Sequence, residues 1–146
     1  MKKTLLFLFF MITLTMAENF DTYLQKFDYK ARKDMKISTY EMLELVVENK
    51  AQLIDIRFKE EYEAWNMSFA KNIPLNELPD RLDELDKSKL IITACPHNDR
   101  ANIARMFLYL KGYKVRYLSD GLLRTADSLR GDRAQEFMQR IKKNNQ

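Results

Sequence analysis

The sequence has 146 residues, enough for one domain of ordinary size and too few for two well-packed ones. Hydrophobic residues make up 46% and charged residues 32% of the chain, a mixture that can bury a core and argues against wholesale disorder. A mean hydropathy of −0.47 excludes a polytopic membrane protein, and three glycines and three prolines exclude a collagen-like or linker-like chain.

The first 17 residues have the three-part pattern of a secretory signal peptide. Lys2 and Lys3 supply a cationic start, an apolar run of 12 residues extends from Leu5 to Met16, and Thr15 and Ala17 offer small residues at positions −3 and −1 of a cleavage site. The run is shorter than the roughly 20 residues of a membrane-spanning helix, which disfavours the alternative of an uncleaved anchor. We therefore expect a periplasmic or otherwise exported protein without stable membrane insertion after cleavage.

Charge gives little support for a nucleic-acid partner. Residues 1–17 contain two lysines and no acid, so their removal lowers the net charge from +4 to +2. The remaining basic residues are interleaved with acids, as in the stretch 80–84, and form no basic stripe. We expect a mixed-charge surface and no binding of nucleic acid.

Residues 18–37 are predicted to form a helical extension ahead of the main domain, which we assign to residues 38–146. Phe20, Tyr23 and Phe27 recur at the spacing of one amphipathic helix that runs to about Lys36. Ser38 and Glu41 then match a capping box, which predicts a new helix beginning just after Ser38.

Short apolar runs alternate with helical patterns through the rest of the chain. Strands are predicted at 53–56, 90–93 and 114–118, with at most a short strand at 73–75 because Pro74 lacks a backbone donor. Helices are predicted at 60–65, 79–85 and 101–111, and a last one begins at Asp132. This alternation predicts an α/β fold, an open and mainly parallel sheet flanked by helices on both faces.

Cys95 is the single cysteine, so no disulfide can form within the chain. With one histidine besides, a structural zinc site of Cys and His ligands is excluded, and we expect no metal. The strand 90–93 delivers Cys95 to its carboxyl end, and a short loop leads into the next helix. Unpaired amides and the dipole at that helix start predict a lowered pKa of the thiol and rapid alkylation at neutral pH. Arg100 can neutralise a further negative charge there.

The simpler interpretation of Cys95 is a small, inert residue that ends a core strand. Three features favour a reactive thiol instead: the cysteine is unpaired in an exported chain, it lies at a strand-to-helix junction, and it begins a Cys-x4-Arg motif that ends at Arg100.

Seven short motifs in order resemble the rhodanese-like domains, a family of single-domain sulfurtransferases. The motifs cover roughly residues 38–129 and are Leu53–Arg57, Glu61-Tyr62, Ile73–Leu75, Leu82–Leu85, Cys95–Arg100, Gly112-Tyr113 and Gly121-Leu122. The resemblance implies a rhodanese-like α/β fold and a two-step sulfur transfer. In it, Cys95 takes sulfane sulfur from a small donor such as thiosulfate, and a thiophilic acceptor removes it. The acceptor is cyanide or a thiol, a protein thiol included, and no cofactor is implied.

The resemblance also implies the substrate-binding residues. The backbone N–H groups of the loop hold the anionic persulfide, and they belong to His97, Asn98, Asp99, Arg100 and Ala101. Three loop residues depart from the small ones common in the family: Pro96, His97 and Asp99. Pro96 removes a donor, and Asp99 brings negative charge that disfavours thiosulfate itself.

Two alternatives to a sulfurtransferase remain. The first is a module that carries or senses sulfur without useful turnover. The second, less favoured, is a Cys-dependent phosphatase or arsenate reductase, whose loop has five residues between Cys and Arg where this chain has four.

Three further residues, outside the Cys95 loop, carry predictions of their own. We expect Glu61 to be a partner for Arg57, which makes structural contacts. Trp65 and Phe69 either line the crevice beside Cys95 or, as we favour, pack in the core.

Overall fold

The computed structural model describes residues 19–144. Helices and strands alternate along this part of the chain: α1 (Phe20–Gln25), α2 (Tyr29–Asp34), β1 (Lys36–Ile37), α3 (Thr39–Val47), β2 (Ala51–Asp55), α4 (Lys59–Ala64), β3 (Lys71–Asn72), β4 (Leu90–Ala94), α5 (Asp99–Leu110), β5 (Val115–Leu118), α6 (Gly121–Ser128) and α7 (Asp132–Asn144). Two single 3₁₀ turns, Leu78–Asp80 and Leu82–Glu84, lie between β3 and β4. The proposed signal peptide, residues 1–17, lies outside the described residues.

The strands form one parallel sheet in the order β1-β5-β4-β2-β3. The central strand β4 pairs with β2 along its whole length, from Ala51 opposite Leu90 to Asp55 opposite Ala94. Because all strands point the same way, their carboxyl ends meet at one edge, where ligand sites of open α/β sheets lie.

The core has a separate layer on each face of the sheet, as alternate residues of the central strands show. Ile54 and Ile91 pack with α5 on one face, while Leu53 and Ile92 pack with residues of α3 and α6 on the other. Burial on both faces explains why these strands are nearly continuous apolar runs. The predicted fold class, a parallel α/β sheet covered on both sides, is confirmed.

The N-terminal region differs from the single predicted helix. It forms α1 and α2, separated at Asp28, whose backbone is extended and whose carboxylate accepts the Ala31 N–H at 2.7 Å as the cap of α2. An N-cap residue has an extended backbone, so one continuous helix cannot pass through Asp28. The periodicity of the aromatic residues alone does not reveal this break. The region also ends in β1, which pairs with β5, so the predicted extension 18–37 contributes an edge strand to the sheet.

Three further elements differ from their predictions. The segment 79–85 forms two 3₁₀ turns instead of a helix, because Arg81 between them has a non-helical backbone and the Arg81 and Leu85 N–H groups donate to carbonyls only three residues back. Strand β3 lies at 71–72, just ahead of the predicted 73–75, although Ile73 still donates to the Asp55 carbonyl at 3.0 Å. Helix α5 starts two residues before the predicted Ala101, and α6 has no counterpart among the predicted elements.

The capping box is confirmed: the Glu41 N–H donates to Ser38 Oγ, and the Glu41 carboxylate accepts the Ser38 N–H. Within residues 19–144, no helix has the length and apolar character that crossing a bilayer requires.

Candidate active site

Cys95 directly follows β4 at the carboxyl edge of the sheet, with its side chain fully buried. The Ala101 N–H, in the first turn of α5, donates to Cys95 Sγ at 3.4 Å, and the His97 N–H is a second donor. Cys95 Sγ in turn donates to Asp99 Oδ1 at 3.5 Å. The sulfur is therefore in contact with two amides and a carboxylate.

The expected lowering of the Cys95 pKa is wrong. Burial raises the pKa of the thiol most, and the Ala101 N–H lowers it. The Asp99 carboxylate raises this pKa and the His97 N–H lowers it, so the net shift is upward. Desolvation disfavours a thiolate because the charge loses water, and two amides do not compensate for it. Rapid alkylation at neutral pH is therefore not expected.

The six predicted site residues lie in one loop and the first turn of α5, but they make different hydrogen bonds. Only His97 and Ala101 of the five predicted amide donors act on the sulfur in this conformation. The Arg100 N–H bonds the Asp99 carboxylate instead, which lowers the pKa of that carboxyl group. Asn98 directs its side-chain Nδ2 to the Ser119 carbonyl at 3.2 Å. The Asp99 carboxylate thus accepts hydrogen bonds from both the sulfur and a backbone amide of the same loop.

The start of α6 holds the Cys95 loop from the other side. The Leu122 N–H donates to the Cys95 carbonyl at 2.9 Å, and the Leu123 N–H donates to the Pro96 carbonyl at 3.3 Å. Gly121 makes this approach possible: its φ is +74°, and a Cβ there would lie 2.3 Å from the Pro96 carbonyl oxygen. In the sequence, Gly121-Leu122 is one of the motifs of the family resemblance, and no local pattern indicates its contact with the Cys95 loop.

Arg100 is held by α4. Its Nη1 and Nη2 donate to the two carboxylate oxygens of Glu61 at 2.7 and 2.8 Å. This pair lowers the pKa of Glu61 and raises that of Arg100. The expectation that Glu61 is a partner of Arg57 is confirmed through the main chain, since the Glu61 carbonyl accepts from Arg57 Nη1 at 3.2 Å.

Arg57 and Asp55 form a buried ion pair beneath α4. Arg57 Nη2 donates to Asp55 Oδ2 at 2.7 Å and to the Trp65 carbonyl at 2.8 Å, and the Trp65 ring lies 4.0 Å from the guanidinium. Since Arg57 also bonds the Glu61 carbonyl, it holds the middle and the C-terminal end of α4. This places the Glu61 carboxylate where Arg100 meets it.

The remaining side chains near the site have simple roles. The His97 side chain is exposed and makes no hydrogen bond within residues 19–144, so it does not assist the thiol in this conformation. Trp65 covers Arg57, and Phe69 packs edge-on against Phe137 with ring centroids 4.9 Å apart, in agreement with core packing. Across the described residues, no group of three Cys, His, Asp or Glu side chains is arranged to hold a metal ion.

A family model for the rhodanese-like domain matches residues 38–126. The chain belongs to the rhodanese-like domain family. Solved structures agree: the chain superposes on the rhodanese-like domain protein of Staphylococcus aureus with a TM-score of 0.57 and 25% identity, covering 62% of this chain and 89% of the other. The rhodanese-related protein of Thermoplasma volcanium gives 0.58 with 22% identity, covering 64% and 91%, which shows the shared fold.

Sequences of higher identity match this chain over only part of their own length. The reduced CoADR-RHD protein of Bacillus anthracis is 34% identical with a TM-score of 0.59, covering 64% of this chain and 17% of that one. An HTH-type transcriptional regulator of Mycobacterium tuberculosis is 36% identical over 93 residues, 60% of this chain and 39% of the regulator. The Bacillus subtilis protein YqhL is 36% identical over 63 residues, 43% of this chain and half of YqhL. The chain thus spans at most half of these curated relatives, and membership supports a sulfurtransferase-type or sulfur-carrier module.

Proposed function

We propose that this rhodanese-like domain is an exported sulfurtransferase that carries sulfane sulfur as a persulfide on Cys95. The observation that carries the proposal is the position of Cys95 Sγ at the carboxyl end of β4, 3.4 Å from the Ala101 amide nitrogen and in a loop held by both α5 and α6. Amides at a helix start favour negative charge on the sulfur that they face.

The reaction has two displacements. After the thiol proton passes to solvent, the Cys95 thiolate attacks the outer sulfur of the donor, the donor's S–S bond breaks, and its electron pair leaves with the remainder, sulfite in the case of thiosulfate. A thiolate or cyanide acceptor then attacks the outer sulfur of the persulfide. That S–S bond breaks and the Cys95 thiolate returns, so no external oxidant or reductant is consumed.

Asp99 bears on the choice of donor. Its carboxylate contacts both Cys95 Sγ and the Arg100 amide, the groups that an incoming anion would approach. A dianion such as thiosulfate is repelled more strongly than a singly charged persulfide of a small or protein thiol. We therefore favour a persulfide donor and a thiol acceptor, and no cofactor.

Intact-mass measurement tests the proposal. Incubation with thiosulfate or with a persulfide donor should add about 32 Da, one sulfur atom, to the protein but not to Cys95→Ser. Arg100→Ala should slow loading, because Glu61 then places an unpaired negative charge near the sulfur, whereas Arg100→Lys should retain part of the rate. If no donor ever adds sulfur at Cys95, the proposal fails.

A sulfur carrier or sensor is the second candidate, and the complete burial of Cys95 with its raised pKa favours it. Steady-state transfer separates the two functions. A transferase turns over many equivalents of acceptor, while a carrier loads once and releases sulfur slowly.

Export is proposed from residues 1–17 alone. Fractionation of cells that express the full chain, with N-terminal sequencing of the product, should yield a periplasmic or secreted protein that begins at Glu18. Retention of Met1 in the cytoplasm would contradict it.

A further inference from the structure

The N-terminal region presents an aromatic cluster on the surface. Tyr23 is buried, and its ring lies 5.1 Å from Tyr109, 5.7 Å from Phe27 and 6.5 Å from Phe20. The Tyr23 hydroxyl accepts a hydrogen bond from the buried Arg105 of α5 at 2.8 Å. Helix α1 is thereby fixed to the domain, and its outer side chains are held in place.

Four of the exposed side chains of residues 20–29 are large and apolar, and they belong to α1, the turn after it and the start of α2. Phe20 is 47%, Leu24 52%, Phe27 41% and Tyr29 90% exposed. Asp21 and Gln25 of α1 are also exposed, so apolar and polar side chains share this surface. An apolar patch of this kind points to a further contact.

Basic residues alternate with the apolar ones. Between residues 19 and 36 there are five basic residues (Lys26, Lys30, Arg32, Lys33 and Lys36) and three acidic ones. Two of the acids are engaged locally, since Asp28 caps α2 and Asp34 pairs with Lys30. Arg32, Lys33 and Lys36 take part in no ion pair with any residue from 19 to 144.

We propose that α1 and α2 form a docking surface for an anionic phospholipid membrane. Aromatic and leucine side chains enter the headgroup region while lysine and arginine contact lipid phosphates, the arrangement of helices that lie on membranes. The apolar run Leu5–Met16 precedes α1 by only a few residues, which would bring this surface to a bilayer during export. Pairing of two copies through this face is disfavoured, because the same cations would oppose one another.

The variant Phe27→Trp of the full chain tests the proposal, because its indole reports on this face and not on residues 5–16. Vesicles of phosphatidylcholine with phosphatidylglycerol should shift the Phe27→Trp emission to the blue, and brominated acyl chains should quench it. Phe58→Trp, an exposed aromatic position at the start of α4, is the matched control and should not respond. The parent protein gives the background of Trp65.

Charge reversal completes the test. Arg32→Glu with Lys33→Glu in the Phe27→Trp protein should weaken binding to the anionic vesicles by about tenfold or more, as should high salt. Vesicle binding without a change in the Phe27→Trp emission would overturn the proposal, because residues 5–16 would then make the contact. An equal response to pure phosphatidylcholine, or a blue shift that grows with protein concentration without vesicles, would also overturn it. The proposal does not depend on sulfur transfer.

Discussion

Cys95 is subject to opposing influences. Burial and the Asp99 carboxylate disfavour the thiolate, while the Ala101 and His97 amides favour it, and the first pair prevails. A buried thiol of raised pKa is slow to oxidise, which suits a lone cysteine under the export that we propose. We infer that a donor must move the Asp99 side chain aside before its sulfur reaches Cys95 and the amides.

Asp99→Asn should therefore lower the Cys95 pKa and speed alkylation at pH 7 by about threefold to tenfold, which corresponds to about half a unit to one unit of pKa. The carboxylate raises the thiol pKa, so its removal shifts the pH profile of the alkylation rate to lower pH. Loading from thiosulfate should gain more than loading from a singly charged persulfide. Asp83→Asn, which removes an exposed carboxylate from the second 3₁₀ turn, is the control. An unchanged pH profile in Asp99→Asn would contradict this account.

Gly121→Ala should displace the Cys95 loop. Gly112 and Gly131 also have positive φ but have open space where a Cβ would lie, so alanine there costs only the backbone strain of about 1–2 kcal/mol. At Gly121 the new Cβ would also collide with the Pro96 and His97 carbonyls, and the loss of unfolding free energy should be larger. Only Gly121→Ala should alter Cys95 alkylation. Equal effects of all three substitutions in urea unfolding and alkylation would show that the close contact has no importance.

At the scale of elements, α4 supports α5, the helix that follows the Cys95 loop. Arg57 bonds the carbonyls of Glu61 and Trp65 from below, and the Glu61 carboxylate holds Arg100 at the start of α5. Strand β2 supplies Asp55, the counterion of Arg57. This buried ion pair at the end of β2 therefore helps to orient Arg100, which lies on α5.

Arg57→Met should destabilise the protein by about 3–5 kcal/mol, because Asp55 is left as an unpaired buried charge. The two-armed ion pair between Arg140 and Glu44 is partly exposed and screened by solvent, so Arg140→Met should destabilise the protein much less. Denaturant unfolding measures both. Replacing Asp55 as well, by Asn, should recover part of the loss. A cost for Arg57→Met no larger than for Arg140→Met would refute the supporting role of this pair.

At the scale of the whole molecule, the N-terminal region is integrated with the domain. β1 completes one edge of the sheet, and Tyr23 joins α1 to α5, the helix that begins at the active site. The region ahead of the family match at residue 38 thus has tertiary contacts of its own.

Tyr23→Phe should lower the unfolding free energy by about 1–3 kcal/mol, since the charged Arg105 loses a buried hydrogen-bond acceptor. Protease cleavage within α1 and α2 should become faster as well. Tyr29→Phe, at an exposed position, should change stability by less than about 0.5 kcal/mol. If both variants unfold at the same urea concentration as the parent, Tyr23 does not fix α1.

The sequence alone determined the α/β class, the capped start of α3, and the strand-loop-helix unit that carries Cys95. These features depend on residues close together in the chain, through apolar periodicity and local hydrogen bonds. The negative charge that Asp99 brings to the loop is visible in the sequence for the same reason.

Tertiary structure alone decided the partners of that unit. Glu61 lies 39 residues from Arg100, Tyr23 lies 82 residues from Arg105, and Gly121 reaches the loop from beyond β5. No local pattern encodes such distances. The direction of the Cys95 pKa shift also required the tertiary structure, because desolvation depends on everything packed around the sulfur. The sequence shows only the helix start beside Cys95.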